Sequence, residues 1–171
     1  MIVVVMGVSG AGKTTVGRLI ATALNARFIE GDTFHPKANV DKMRRGLPLD
    51  DADRGPWLAA LAEALNGYVS RGETVVLACS ALKRAYRNAL RAGAPQARFV
   101  YLKGDQGQIA ARLKERKGHY MPATLLASQF AALEEPAVDE GAIVADITDS
   151  PTAIARYAVD ALGIAPSDPV A

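Results

Sequence analysis

An α/β fold, a five-stranded parallel sheet flanked by helices, is expected from three features of the chain. Short β-branched runs alternate with longer stretches of helical period, the pattern of successive βαβ units. The runs are continuously apolar, as strands buried on both faces must be. Finally, 171 residues suit one domain, with no repeat or linker long enough to divide them.

Residues 2–6, Ile-Val-Val-Val-Met, form the first expected strand. Val16, Leu19, Ile20, Ala23 and Leu24 then follow the spacing of one helix face, giving a helix over residues 13–24. A second strand is expected at residues 28–30, followed by a polar segment through Asp53. Pro56 suits the first turn of the next helix, whose stripe of Leu58, Leu61, Leu65 and Val69 ends at Gly72. A third strand at residues 74–79 runs into Ser80, a good N-cap for a helix carrying Leu82, Tyr86 and Leu90.

The fourth strand is expected at residues 98–102, after which Asp105 caps a helix reaching about residue 116. A further helix starts near Pro122 and is stopped by Pro136. Residues 142–147 form the fifth strand. Ser150 and Pro151 open a last helix with Ile154, Tyr157, Ala158, Ala161 and Leu162 inward, and the tail from Gly163 is expected to be loose.

Composition narrows the function. Half the residues are apolar and 22% are charged, which excludes a disordered chain. A net charge of +2 gives no reason to expect a nucleic acid or a membrane surface as partner. Apolar stretches fall short of the roughly 18 residues needed to span a bilayer. Residues 1–10 lack the basic start of a secretory signal and one cysteine cannot form an internal disulfide, so a cytoplasmic location is expected. Cys79 reads as core, Trp57 as core or crevice wall, and His35 and His119 lack partners at zinc-ligand spacing.

Gly7-Val8-Ser9-Gly10-Ala11-Gly12-Lys13-Thr14 matches GxxxxGK[S/T] between an expected strand and an expected helix. Its glycines let backbone N–H groups turn inward around phosphate oxygens, and the helix N-terminus adds its dipole. Lys13 would bridge the β- and γ-phosphates, Thr14 would ligate Mg²⁺, and Thr15 would meet the α-phosphate. Nucleoside triphosphate binding follows. A small kinase is favoured over a motor or a switch GTPase: the chain is short, no Asn-Lys-x-Asp element is present, and polar clusters follow several strand ends.

Ligands of open parallel sheets bind beyond the C-terminal strand ends. Asp32 could there accept a proton from an attacking hydroxyl, or simply cap an Asx turn. Arg54 could hold an anionic acceptor through its planar fork, or pair with Asp50, Asp51 or Asp53. Lys83 and Arg87 offer a second cationic contact, with a solvated helix face as the alternative. Arg112, Arg116, Lys117 and His119 would form a cationic flap over the nucleotide, or a merely soluble helix end. Gln129 interrupts an apolar face and suggests a buried polar contact.

Beyond this loop, Gly31-Asp32-Thr33-Phe34-His35-Pro36, Asp53-Arg54, Pro56-Trp57-Leu58, Cys79-Ser80-Ala81-Leu82-Lys83, Arg116-Lys117-Gly118-His119, Gln129-Phe130 and Leu133-Glu134-Glu135-Pro136 resemble the gluconokinase family of P-loop kinases. The likeness runs from about residue 3 to residue 147. It implies the fold of shikimate and adenylate kinases, with strand order 2-3-1-4-5 in a single P-loop kinase domain and a lid at about residues 112–136. It implies ATP-dependent phosphorylation of D-gluconate at its 6-hydroxyl with Mg²⁺, and commonly a homodimer. By resemblance Asp32 is the leading base and Arg54 the leading carboxylate contact, with His35, Lys42, Ser80, Lys83, Arg87 and Gln129 as possible acceptor-site members. Arg112 would lie against adenine and Arg116 would reach phosphate. Another acceptor, such as shikimate or a nucleoside monophosphate, and a non-catalytic ATP-binding switch are the competing readings.

Overall fold

A computed structural model describes residues 1–115 and 123–163. Five strands, β1 (Ile2–Met6), β2 (Arg27–Glu30), β3 (Val75–Ala78), β4 (Arg98–Lys103) and β5 (Ile143–Asp146), form one sheet. Its order is β2-β3-β1-β4-β5 and every pairing is parallel, as expected. The helices are α1 (Lys13–Ala23), α2 (Lys37–Arg44), α3 (Asp51–Ser70), α4 (Arg84–Gly93), α5 (Gln106–Glu115), α6 (Ala123–Ala132) and α7 (Pro151–Ala161). Short 3₁₀ turns occupy Gly31–Phe34 and Val138–Glu140.

Successive side chains of a strand point to opposite faces, so a continuous apolar run feeds two cores at once. Val3 and Val5 pack with Val16 and Ile20 of α1 and with Ile154 and Ala158 of α7. Ile2, Val4 and Met6 pack on the other face with Trp57, Leu61 and Leu65 of α3 and with Leu90 of α4. All five residues of β1 are buried, and the loop that follows them is thereby held at the middle of the sheet's C-terminal edge.

Several expectations are corrected. The polar segment after β2 contains α2, a helix held by a tertiary bond: Asn39 Nδ2 donates to the Asp53 carbonyl at 2.7 Å. The helix expected near Pro56 starts at Asp51, because Asp50 and Asp53 form a reciprocal capping box. Pro56 lies inside α3, where its missing N–H leaves only the carbonyl of exposed Ala52 without a ladder donor. Ser80 does not cap a helix; its carbonyl accepts from Gly7 N at 3.2 Å, and Lys83 is the N-cap of α4. Val69 is exposed at the end of α3, and α7 is rotated so that Ala155 and Val159 face inward while Tyr157 and Ala161 face out. The tail beyond Gly163 lies outside the described residues. No helix among the described residues is long and apolar enough to cross a membrane.

Candidate active site

The turn from β1 into α1 is built from left-handed glycines. Gly10 has φ 86° and Gly12 has φ 100°, conformations that L side chains rarely adopt. A Cβ at Gly10 would also come within 2.9 Å of Leu113 Cγ. Gly12 is the N-cap of α1, so the first N–H groups of that helix open into the loop. Lys13 curls back over the turn, its Nζ donating to the Val8 carbonyl at 3.0 Å. Thr14 Oγ1 donates to Glu30 Oε2 at 2.7 Å. A cavity of about 260 Å³ lies here, lined by Gly10, Gly12, Lys13, Thr14, Glu30 and Asp32. Arg112 of α5 stands beside Gly12 and donates to the Ile147 carbonyl after β5. Thr15 is exposed.

The opposite side begins where β2 ends. A Cβ at Gly31 would meet the Ala78 carbonyl at 2.6 Å, so only glycine lets the chain turn this close to β3. Trp57, fully buried, donates its Nε1–H to the Gly31 carbonyl at 2.9 Å. Its ring stacks on His35 with centroids 4.2 Å apart, and His35 Nδ1 lies 3.3 Å from Asn39 Nδ2. Burial holds the His35 pKa below 6.5, against the opposing pull of Asp32 and with the help of Arg54. Asp32 projects from this turn into the cavity, and its carboxylate makes no hydrogen bond among the described residues.

The cations of this side are sorted by partner. Lys42 pairs with Asp53 and, at 3.7 Å, with Asp50. Lys83 donates to both oxygens of Asp51, at 2.7 and 2.9 Å, and Tyr86 donates its hydroxyl to the same carboxylate. These contacts hold the Asp53 and Asp51 carboxyls below their ordinary range, through Lys42 and Lys83 respectively. Arg54 has no ion pair among the described residues; its guanidinium lies over the Tyr86 ring, 5.6 Å from the centroid.

Residues 2–136 match a family model described as an AAA domain. Gluconokinase of Gluconobacter oxydans (strain 621H) is 54% identical over 140 residues, 82% of this chain and 79% of that protein. The chain belongs to the gluconokinase family. Among solved structures, a gluconokinase from Sinorhizobium meliloti 1021 superposes with TM-score 0.87 at 46% identity, covering 94% of this chain and 90% of that one. An unliganded sugar kinase from Janibacter sp. HTCC2649 gives TM-score 0.92 at 45% identity, covering 96% and 95%.

Against this gluconokinase framework the expected residues divide. Ser9, Gly10, Gly12, Lys13, Thr14 and Asp32 line one cavity, Gly7, Val8 and Ala11 are buried behind it, Arg112 stands beside Gly12, and Asp32 and Arg54 both lie close enough to His35 to act on its charge. Arg87 is corrected: it is neither an acceptor contact nor part of a solvated face. It is buried, with Nε and Nη2 donating to Glu140 and Nη1 to the carbonyls of Ala81, Leu82 and Glu134. Gln129 makes a polar contact that is half-buried rather than buried, and it lies at the glycine turn: its Oε1 accepts from Ser9 N at 2.7 Å. Cys79 is core, its thiol pushed up to about 12 by burial. Arg116, Lys117 and His119 lie outside the described residues.

Glu30 is the residue that sequence reasoning missed at the centre of the site. It was readable only as the end of a strand, yet a carboxylate at the C-terminal end of a parallel strand is where ligand chemistry concentrates. Asp51 and Tyr86 were missed for another reason: their roles depend on a contact between α3 and α4 that spacing does not disclose.

Proposed function

We propose that this chain transfers the γ-phosphate of ATP to the 6-hydroxyl of D-gluconate, giving ADP and 6-phosphogluconate. The observation that carries the reading is one cavity shared by unlike groups: the glycine turn with Lys13 and Thr14 at the start of α1, and the carboxylate of Asp32, beyond which stands Arg54, an arginine with no ion pair among the described residues. Relatives named gluconokinases at 45–54% identity supply the substrate class.

In this reading the phosphates lie on the backbone amides of residues 7–14, with Lys13 leaving Val8 to bridge the β- and γ-phosphates and Thr15 serving the α-phosphate. Arg112 lies against adenine. Arg54 holds the carboxylate of gluconate, with Lys42, Ser80 and Lys83 as further members of that wall and neutral His35 facing its hydroxyls. Asp32 accepts the proton of the 6-hydroxyl as its oxygen bonds to the γ-phosphorus and the bond to ADP breaks. Holding the two reactants in line lowers the barrier by up to about 7–11 kcal/mol. The segment 112–136 acts as the lid, with Arg116 reaching phosphate.

Thr14, Glu30 and Asp32 offer the hard oxygen donors that suit Mg²⁺, which is usually held by one or two carboxylates together with substrate phosphates. When bound, Mg²⁺ neutralises charge on the β- and γ-phosphate oxygens. A homodimer, on the family resemblance, and the cytoplasmic location expected from the single cysteine complete the proposal.

The test is ADP release from ATP with and without D-gluconate, beside shikimate and AMP. Gluconate-dependent release is expected. Turnover with shikimate or AMP alone would replace the substrate, and tight ATP binding with no acceptor-stimulated release would make the chain a nucleotide switch.

A further inference from the structure

We propose that Tyr86 is a positioning residue for the acceptor's carboxylate: its ring is the shelf that fixes the Arg54 guanidinium before substrate arrives. The inference rests on Arg54 being the carboxylate contact and explains how an arginine on the first turn of a helix is held ready. Asp51 and Arg54 are three residues apart on α3 and so share a face. Tyr86 comes from α4, is only 5% exposed, and reaches that face from the other side. Its hydroxyl donates to Asp51, and its ring has Arg54 Cζ and Lys83 Nζ each 5.6 Å from the centroid. The ring face attracts both cations.

The arrangement divides labour. Asp51 is occupied by Lys83 and Tyr86, and Asp53 by Lys42, so neither neighbouring carboxylate captures Arg54. The aromatic face orients the guanidinium without neutralising it or using its N–H donors, which remain for an anionic ligand. A side chain ordered in advance loses less freedom on binding.

Steady-state kinetics on Arg54→Met, Tyr86→Phe, Tyr86→Leu and the Arg54→Met/Tyr86→Leu double variant test this. Tyr86→Leu is expected to raise the KM for gluconate about three- to tenfold, with a smaller change in kcat and the KM for ATP within about twofold. Tyr86→Phe, which keeps the ring, retains most of the affinity. In the Arg54→Met background Tyr86→Leu adds no further rise. Tyr86→Met, without an aromatic face, carries the same expectation should the leucine variant not fold. A gluconate KM unmoved by Tyr86→Leu, or raised equally with and without Arg54, overturns the shelf while leaving Arg54 as the carboxylate contact. An Arg54→Met enzyme with normal gluconate KM overturns that underlying reading as well.

Discussion

The two walls of the crevice are made of different material. On the side proposed for the phosphates the surface is backbone: one contiguous turn, residues 7–12, bent by left-handed glycines and continued by the N-terminus of α1. On the acceptor side it is side chains from three separated segments, the turn after β2, the start of α3 and the entry to α4, cross-braced by Lys42–Asp53 and Lys83–Asp51. A phosphate tail presents the same oxygens whatever the nucleoside, so main-chain N–H groups suffice to hold it. A particular hydroxy acid must be told from its relatives, and that needs side chains whose positions are fixed by one another.

Removing one group from each wall should break the comparison in opposite ways. Asp32→Asn is expected to lower kcat on the order of 10²–10⁴-fold, the usual worth of a general base, while the KM for gluconate changes little. Lys13→Ala is expected to lower kcat/KM for ATP on the order of 10²–10³-fold, as loss of a charge-stabilising donor does, with the fold retained by circular dichroism. Normal kcat in the first variant would take proton transfer away from Asp32; normal turnover in the second would take the triphosphate away from the glycine turn.

The next effect is on stability. Behind the acceptor wall, Arg87 and Glu140 form a buried pair whose remaining guanidinium donors hold the carbonyls of Ala81, Leu82 and Glu134. Arg87→Met would leave a buried carboxylate uncompensated and is expected to destabilise by about 3–5 kcal/mol in denaturant titrations. Arg87 holds the Glu140 pKa at about 2, below its ordinary 4.5. The folded state thus binds its proton later than the unfolded one. The associated stability is fully present above about pH 4.5 and is lost as pH falls toward 2, and that acid slope should vanish in Arg87→Met. A loss below about 1 kcal/mol would mean that the turn of Ala81 and Leu82 does not hang on this pair.

The same contrast explains what could be read in advance. The phosphate side is contiguous, so the motif, the buried β1 and the stripe of α1 announce one another. Strand order followed from the resemblance and is the one observed. The acceptor side is a set of distant pairings: 32 residues separate Lys83 from Asp51 and 53 separate Arg87 from Glu140. No periodicity encodes them. Helix α2 escaped because Lys37–Arg44 has little apolar surface and is tied down by Asn39 from another segment. Tyr86 was legible as core, which it is, but not as the neighbour of Arg54.

A smaller effect tests whether the phosphate side is purely local. Gln129 of α6 accepts from Ser9 N at the crown of the loop, a contact through which a distant helix steadies it. Gln129→Leu removes a hydrogen bond worth about 1 kcal/mol. The KM for ATP is expected to rise about three- to tenfold, with gluconate binding less affected. Equal rises in both would make Gln129 a general support of the crevice.

The smallest effect concerns how the acceptor wall starts. Asp50 Oδ1 accepts from Asp53 N at 2.8 Å while Asp53 Oδ2 accepts from Asp50 N at 2.9 Å, and Asp53 also holds Lys42. Asp50→Ala breaks the reciprocal cap and is expected to cost about 1 kcal/mol of stability. The first turn of α3 carries Asp51, Asp53 and Arg54, so its fraying acts where Arg54 is proposed to hold the gluconate carboxylate. A rise in the gluconate KM of about twofold, with the KM for ATP unmoved, is the expected signature. An equal change in both would mean that the first turn of α3 is a common scaffold, and the separation of the two walls would then stop short of their foundations.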